Sequence, residues 1–310
     1  MIVSPARTPL QTSGNGKMND WYAKPYCQCR KYKLCDCGED HDVTEWNWEE
    51  NRSNASWLVI SQDRRQITFH PLYSSGTAVV RGDTPMLLNH QYYWEIKVLS
   101  QPYGTDIMVG VGTNKVNTSD DNFEFMSLLG KDAESYGLSY RGAVYHDAKV
   151  VFETVGFCRG TIVGVRLDMW MGTLEFYVNR KPLGVTFRGL RRHCQLFPMA
   201  CSTAAQSSMK LTYAASWRAS LLVHAAKILA ASLSADLRRQ IPPGLTYPFK
   251  SHFWLTLPSD GDTLNDDEEG EPMQAEPAVD ISHELSEVLR SPNGYHVDTV
   301  SREYRVVLWQ

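Results

Sequence analysis

Long apolar runs are missing from these 310 residues. The longest greasy stretch, Leu221 to Ala231, is broken by His224 and Lys227, so no membrane span is expected. The opening Met1-Ile2-Val3-Ser4-Pro5 has no apolar core of signal-peptide length, and export is not expected either. A basic excess is also missing. Lys and Arg number 31 against 35 Asp and Glu, a net charge of −4, which leaves no chain-wide positive field to hold a phosphate backbone and sets nucleic acid aside as a main ligand. The seven cysteines are an odd count with four crowded between Cys27 and Cys37, which is not a disulfide framework. A reducing compartment, cytoplasmic or nuclear, is therefore expected, with Cys158, Cys194 and Cys201 as small buried hydrophobes.

Recognisable catalytic motifs are lacking as well. Gly-x-Ser-x-Gly, His-Glu-x-x-His and the phosphate-binding Gly-x-x-x-x-Gly-Lys-Ser/Thr do not occur, and Val109-Gly110-Val111-Gly112-Thr113 lacks the third glycine and following helix of a dinucleotide loop. Its glycines read as sites of close strand packing. His193-Cys194 beside Arg191 and Arg192 has the residue types of an activated thiol, yet a cysteine at a strand edge is more often inert. The chain is expected not to be an enzyme.

What is present is β-sheet. With 43% hydrophobic residues the chain can bury a full core. Between residues 56 and 213 short segments rich in Val, Ile, Phe, Tyr and Trp recur between turn residues, as in an all-β antiparallel sandwich. In Tyr93-Trp94-Glu95-Ile96-Lys97-Val98 the even positions alternate into a core, and residues 162–168 and 173–178 read as a hairpin around Met169-Trp170-Met171-Gly172. From Ser220 the period becomes helical, with Leu221, Ala225, Leu229, Leu233 and Leu237 on one stripe and Ser216 or Ser220 as cap. Ile241-Pro242-Pro243-Gly244 ends that helix, and a short second one is expected from Pro248 through Trp254. Four regions follow: a flexible arm at 1–43, the sandwich at 44–215, a small helical appendage at 216–257, and an acidic linker with an unassigned tail at 258–310.

The pairs Cys27-Gln28-Cys29 and Cys35-Asp36-Cys37 offer four soft ligands for a structural zinc ion. Their single-residue spacing is tighter than that of usual zinc knuckles. A flexible cysteine-rich arm and lipid attachment beside Lys24, Arg30, Lys31 and Lys33 are the alternatives. No other cofactor is expected.

The ordered blocks Gln91-Tyr92-Tyr93-Trp94-Glu95-Ile96, Met108 to Thr113, Tyr136-Gly137-Leu138-Ser139-Tyr140 and Gly172 to Asn179 resemble a SPRY domain. With Arg81-Gly82, Leu128-Leu129-Gly130, Tyr145-His146-Asp147, Gly184 to Leu190 and Leu196-Phe197-Pro198, the chain resembles the SPRY domain-containing SOCS box proteins over residues 44–257. The resemblance implies a SPRY-type sandwich followed by a SOCS box. It also implies a non-catalytic adaptor of a ubiquitin ligase that holds a short asparagine-containing segment of a target and leads to its ubiquitination and proteasomal degradation.

Carried over by motif, the peptide site comprises Thr105, Phe125 where relatives have tyrosine, and Thr203, Ala204 and Ala205 in place of a Val-Trp-Gly loop, giving a smaller floor. The arginine that relatives carry after the strand at 67–69 is unmatched at His70 to Tyr73, which weakens selection for an acid ahead of the asparagine. Leu221, Ala225 (a cysteine in relatives) and Leu229 stand where the SOCS box meets Elongin B/C. Ile241, Pro242 and Pro243 retain the second half of the motif for a Cullin-5-type cullin with its RING protein. Two other readings remain: a SPRY scaffold without ubiquitin coupling, suggested by Ala225 and the half motif, and a carbohydrate-binding sandwich.

Overall fold

The computed structural model describes residues 21–27, 29, 35–39, 41–50, 56–118, 123–221, 223–225 and 252–257. Two antiparallel sheets stack face to face. The first runs in the order β1 (Leu58–Ile60), β2 (Gln66–Phe69), β14 (Ser207–Arg218), β5 (His90–Val98), β10 (Ile162–Asp168), β11 (Thr173–Val178) and β12 (Lys181–Phe187). The second runs β3 (Ala78–Arg81), β13 (Gln195–Ser202), β6 (Ile107–Gly112), β7 (Ser135–Ser139), β8 (Ala143–His146) and β9 (Lys149–Glu153), with β4 (Met86–Leu87) also paired to β13.

The period-2 pattern explains which faces meet. Trp94, Ile96 and Val98 of β5 point inward, with Trp94 opposite Val165 and Ile96 opposite Val163 across the β5–β10 ladder. The expected hairpin pairs Val163 with Val178 and Leu167 with Leu174. In the second sheet Gly110 lets β6 and β7 close up: a Cβ there would lie 1.9 Å from the Tyr136 carbonyl oxygen. The glycines of this block serve strand packing, as the missing third glycine suggested.

The outward positions of β5 depart from simple alternation. Tyr93, Glu95 and Lys97 are as buried as their inward neighbours, because other parts of the chain cover this face. Tyr93 stacks on Trp254 at 5.9 Å between ring centroids, and both join Tyr177, Tyr213 and Leu255 in a second apolar cluster. Glu95 receives both Arg180 Nε and a terminal nitrogen, at 2.8 and 3.0 Å, and the Tyr93 hydroxyl at 2.8 Å. Lys97 pairs with Glu39 at 3.1 Å. The expected flexible arm is thus, over its described residues, docked on the sandwich. Ala23 and Tyr26 donate backbone bonds to Gly156 and Gly160, and the Arg180 guanidinium donates to the Gly38 carbonyl. The sequence pattern misses this because the arm docks through backbone N–H and carbonyl groups and isolated side chains, which leave no periodic trace.

At the other end β14 continues to Arg218, past the expected boundary at 215, and takes Ser216 into the sheet. The cap is Ser220: its Oγ accepts from the Val223 N–H at 3.3 Å, and its carbonyl accepts from His224 at 3.0 Å. The rest of the expected helix, including Leu229, and the Ile241-Pro242-Pro243 motif lie outside the described residues, as does 258–310. Of the expected second helix, Phe253–Thr256 form a single 3-10 turn. No described helix is long and apolar enough to cross a membrane.

Candidate functional site

At one edge of the sandwich three strand connections are tied to a single buried carboxylate. Asp106 ends the loop that leads into β6 and is 2% exposed. Its carboxylate accepts from Ser139 Oγ of β7 at 2.6 Å, from the Ile107 N–H at 2.8 Å, and from Ser127 Oγ of the segment that carries Phe125. Its backbone is bonded in both directions to the loop after β13. The Asp106 N–H donates to Thr203 Oγ1 at 3.0 Å, and the Thr203 N–H donates to the Asp106 carbonyl at 3.0 Å. Burial pushes the Asp106 carboxyl above the ordinary carboxylate range, against the pull of Ser127 and Ser139.

The connection between β2 and β3 adds a fourth support. Thr77 donates to the Glu124 carbonyl at 2.6 Å and accepts from the Met126 N–H at 3.0 Å, so Phe125 is presented between two fixed backbone points. Ser74 donates to the Thr203 carbonyl at 2.7 Å. The turn from Ser202 to Ser207 is closed by Ser207 Oγ on the Ala204 carbonyl at 3.0 Å and by the Gln206 N–H on the His70 carbonyl at 2.9 Å. These loops are held by side-chain hydrogen bonds to backbone, which fix geometry at little apolar cost.

The structure brings Thr105, Phe125 and Thr203–Ala205 into one neighbourhood, but with unequal roles. Thr105 is exposed and Phe125 is 51% exposed. Thr203 is buried, and its hydroxyl is committed to Asp106 as donor and acceptor. Ala204 is 1% exposed and belongs to the main core cluster. The loop floor is therefore core, and a larger residue at 204 would displace core side chains rather than reshape a pocket. His70, the first residue after β2, turns inward with φ 46°, faces the Ser202 carbonyl through Nε2 at 3.1 Å, and is held below its ordinary pKa by burial.

Sequence reasoning missed the aromatic rim on these loops. Leu72 and Tyr73 are 82% and 75% exposed, and Tyr103 and Phe123 also stand out to solvent. The Tyr103 hydroxyl donates to the Ala205 carbonyl at 2.6 Å, and Phe123 packs edge-on to Trp57 at 5.7 Å. The signal was available: Pro71-Leu72-Tyr73-Ser74 and Gln101-Pro102-Tyr103-Gly104 place aromatics among turn residues, where no strand period requires them. Far along β14 from these loops, Leu221 is 76% exposed at the start of its helix, and Ala225 is exposed one turn later.

Asp106→Ala is expected to lower stability by about 3 kcal/mol, since it strands two hydroxyls and one N–H. Because the folded carboxyl titrates above the ordinary value of 3.8, native protein binds the proton more tightly than unfolded chain. The wild-type advantage is then greatest below pH 3.8 and shrinks as pH rises through the folded pKa. Urea denaturation of both proteins across this range measures the difference, and an advantage that grows with pH contradicts the assignment.

The SPRY domain family model matches residues 91–215, from β5 through most of β14. Fold and sequence together define a SPRY-domain protein. Over 71% of its length the chain is similar to SPRY domain-containing SOCS box proteins. It is 44% identical over 229 residues to SPRY domain-containing SOCS box protein 3 of Xenopus laevis, covering 71% of this chain and 63% of that protein. It is 30% identical over 178 residues to Protein gustavus of Drosophila melanogaster, covering 54% of this chain and 61% of that one. The chain thus spans somewhat over 60% of the length of these relatives. The solved SPRY domain of human HERC1 is 18% identical with a TM-score of 0.42, covering 50% of this chain and 91% of that one.

Proposed function

We propose that this chain is a non-catalytic substrate receptor of a ubiquitin ligase. The loops around Asp106 hold a short, extended, asparagine-containing segment of a target protein. The helix that starts at Leu221 docks on Elongin B/C, and Ile241, Pro242 and Pro243 reach toward a Cullin-5-type cullin with its RING protein. Ubiquitin transfer belongs to those partners, and proteasomal degradation of the target follows.

The observation that carries this reading is the aromatic rim of Tyr73, Tyr103 and Phe125 on loops immobilised by Asp106, Thr77 and Ser74. Exposed aromatics on a rigid base supply contact area with little ordering cost, as recognition surfaces require. Thr105 offers an exposed hydroxyl beside the rim, placed to bond a side-chain amide. The inward His70 brings no cation to the rim, and the Arg141 guanidinium beside Thr105 is held on the Gly104 carbonyl and the Tyr140 hydroxyl, so a preceding acid gains little there.

Calorimetry with Asn-Asn-containing peptides tests this, with and without a leading Asp. The two affinities are expected to agree within about threefold, and Tyr103→Ala or Phe125→Ala to weaken binding by about tenfold. A strong dependence on the Asp, or affinity unchanged by both alanine variants, overturns the account of the site.

A further inference from the structure

The two Cys-x-Cys pairs remain outside this function, and the fold gives them a setting. We propose that Cys27, Cys29, Cys35 and Cys37 bind one zinc ion in a closed tetrathiolate site, with the buried Lys97 ammonium as its charge partner. The metal then clasps the N-terminal segment onto the outer face of the first sheet. This goes beyond the receptor reading and does not depend on it.

The geometry is that of a chelate. All four Sγ atoms lie within 4.8 Å of one another, with Cys27 Sγ 3.4 Å from Cys29 and 3.1 Å from Cys35. A tetrahedron with Zn–S bonds of about 2.3 Å has sulfur–sulfur edges of about 3.8 Å, inside the observed spread. The single-residue spacing, which argues against zinc on an extended chain, is resolved by the backbone. Side chains two apart on a strand are separated by about 6.6 Å, too far for one ion. Here the Glu39 N–H returns to the Asp36 carbonyl at 3.0 Å, and Gly38 takes a φ of 85°, which folds the Cys35–Cys37 pair back on itself. Gly38 is also fixed from outside: a Cβ there would meet Ile162 Cδ1 at 2.3 Å.

Electrostatics points the same way. Lys97, whose side chain is 3% exposed, donates to the carbonyls of Cys35 and Cys37 and sits 3.7 Å from Cys35 Sγ. Glu39 is shared between Lys97 at 3.1 Å and Lys210 at 2.6 Å, so the two cations outnumber the carboxylate between them by one. Lys97 thus shares its carboxylate partner with the partly exposed Lys210, and zinc with four thiolates would place a net charge of −2 beside the buried ammonium. Four sulfur ligands, with no carboxylate or imidazole donor in the cluster among the described residues, favour zinc over magnesium, calcium or manganese. On binding, each thiol gives up its proton to solvent, and no oxidation or reduction takes place.

The test uses the full chain purified with reductant and without chelators. Elemental analysis is expected to give one zinc per chain, and none when the four cysteines are replaced by serine. Cobalt exchanged into the site is expected to show the visible bands of a tetrahedral tetrathiolate, and Cys29→Ser alone to change that spectrum. Lys97→Met is expected to weaken zinc binding about 10–100-fold in chelator competition, the scale of a lost neighbour to a metal ligand. A thermal melt confirms that this variant is folded. Metal-free protein, full zinc in the four-serine variant, or iron in place of zinc overturns the site. Unchanged affinity in folded Lys97→Met overturns the role of Lys97.

Discussion

Leu221→Asp is expected to abolish co-purification of Elongin B/C while leaving the thermal melt of the sandwich unmoved. The residue is 76% exposed at the first helical position after the Ser220 cap, so the folded chain asks nothing of its side chain. An aspartate in a first helical turn is favoured by the helix dipole, which keeps the local structure intact. In the proposed complex the resemblance implies that this leucine enters an apolar pocket of Elongin C, where an unpaired carboxylate would cost several kcal/mol, or at least about a hundredfold in affinity. Unchanged capture rejects the receptor reading and leaves a SPRY scaffold without ubiquitin coupling.

Arg180→Met is expected to produce the largest loss of stability of any single substitution on the outer face, about 3–5 kcal/mol. Glu95 is fully buried, and Arg180 meets it with two parallel N–H bonds. Removing the guanidinium leaves a carboxylate in the interior with the Tyr93 hydroxyl but no cation. Arg180 also bonds the Gly38 carbonyl and lies 4.6 Å above the Phe253 ring, so the N-terminal segment and the turn at 253–256 loosen together. Urea denaturation measures the loss. The double variant with Glu95→Gln is expected to recover part of it, because the stranded charge is then gone. A loss below about 1 kcal/mol contradicts this account.

The sandwich was legible because its inner faces obey one rule. Trp94, Ile96 and Val98 alternate with other residues at period 2, and the hairpin of β10 and β11 carries the same alternation on both sides of Gly172. The outer face of β5 was not legible. Glu95 and Lys97 look like solvent-facing polar residues until Arg180, Glu39 and the carbonyls of Cys35 and Cys37 arrive from far along the chain. The site was half legible. The family motif pointed to loops that the structure brings together, but which residue faces out depends on hydrogen bonds that leave no periodic trace. Thr203 and Ala204 turn inward because Asp106 and the core claim them, while Tyr73 and Tyr103, which no motif marked, form the rim.

β14 also sets a length. Its twelve residues pair with β5 over nearly their whole extent, so the strand behaves as a stiff rod of roughly 40 Å. The Thr203–Ala205 turn stands at one end, and beyond the other, after Ala219 and Ser220, Leu221 begins its helix. In the receptor role proposed above, the sandwich would be a ruler as well as a grip. A protein caught at the rim would be carried at a fixed reach from the machinery that engages Leu221, and only lysines brought within that reach by the target's own shape would be modified. Which of its surfaces a target exposes beside the bound segment then matters as much as the segment itself.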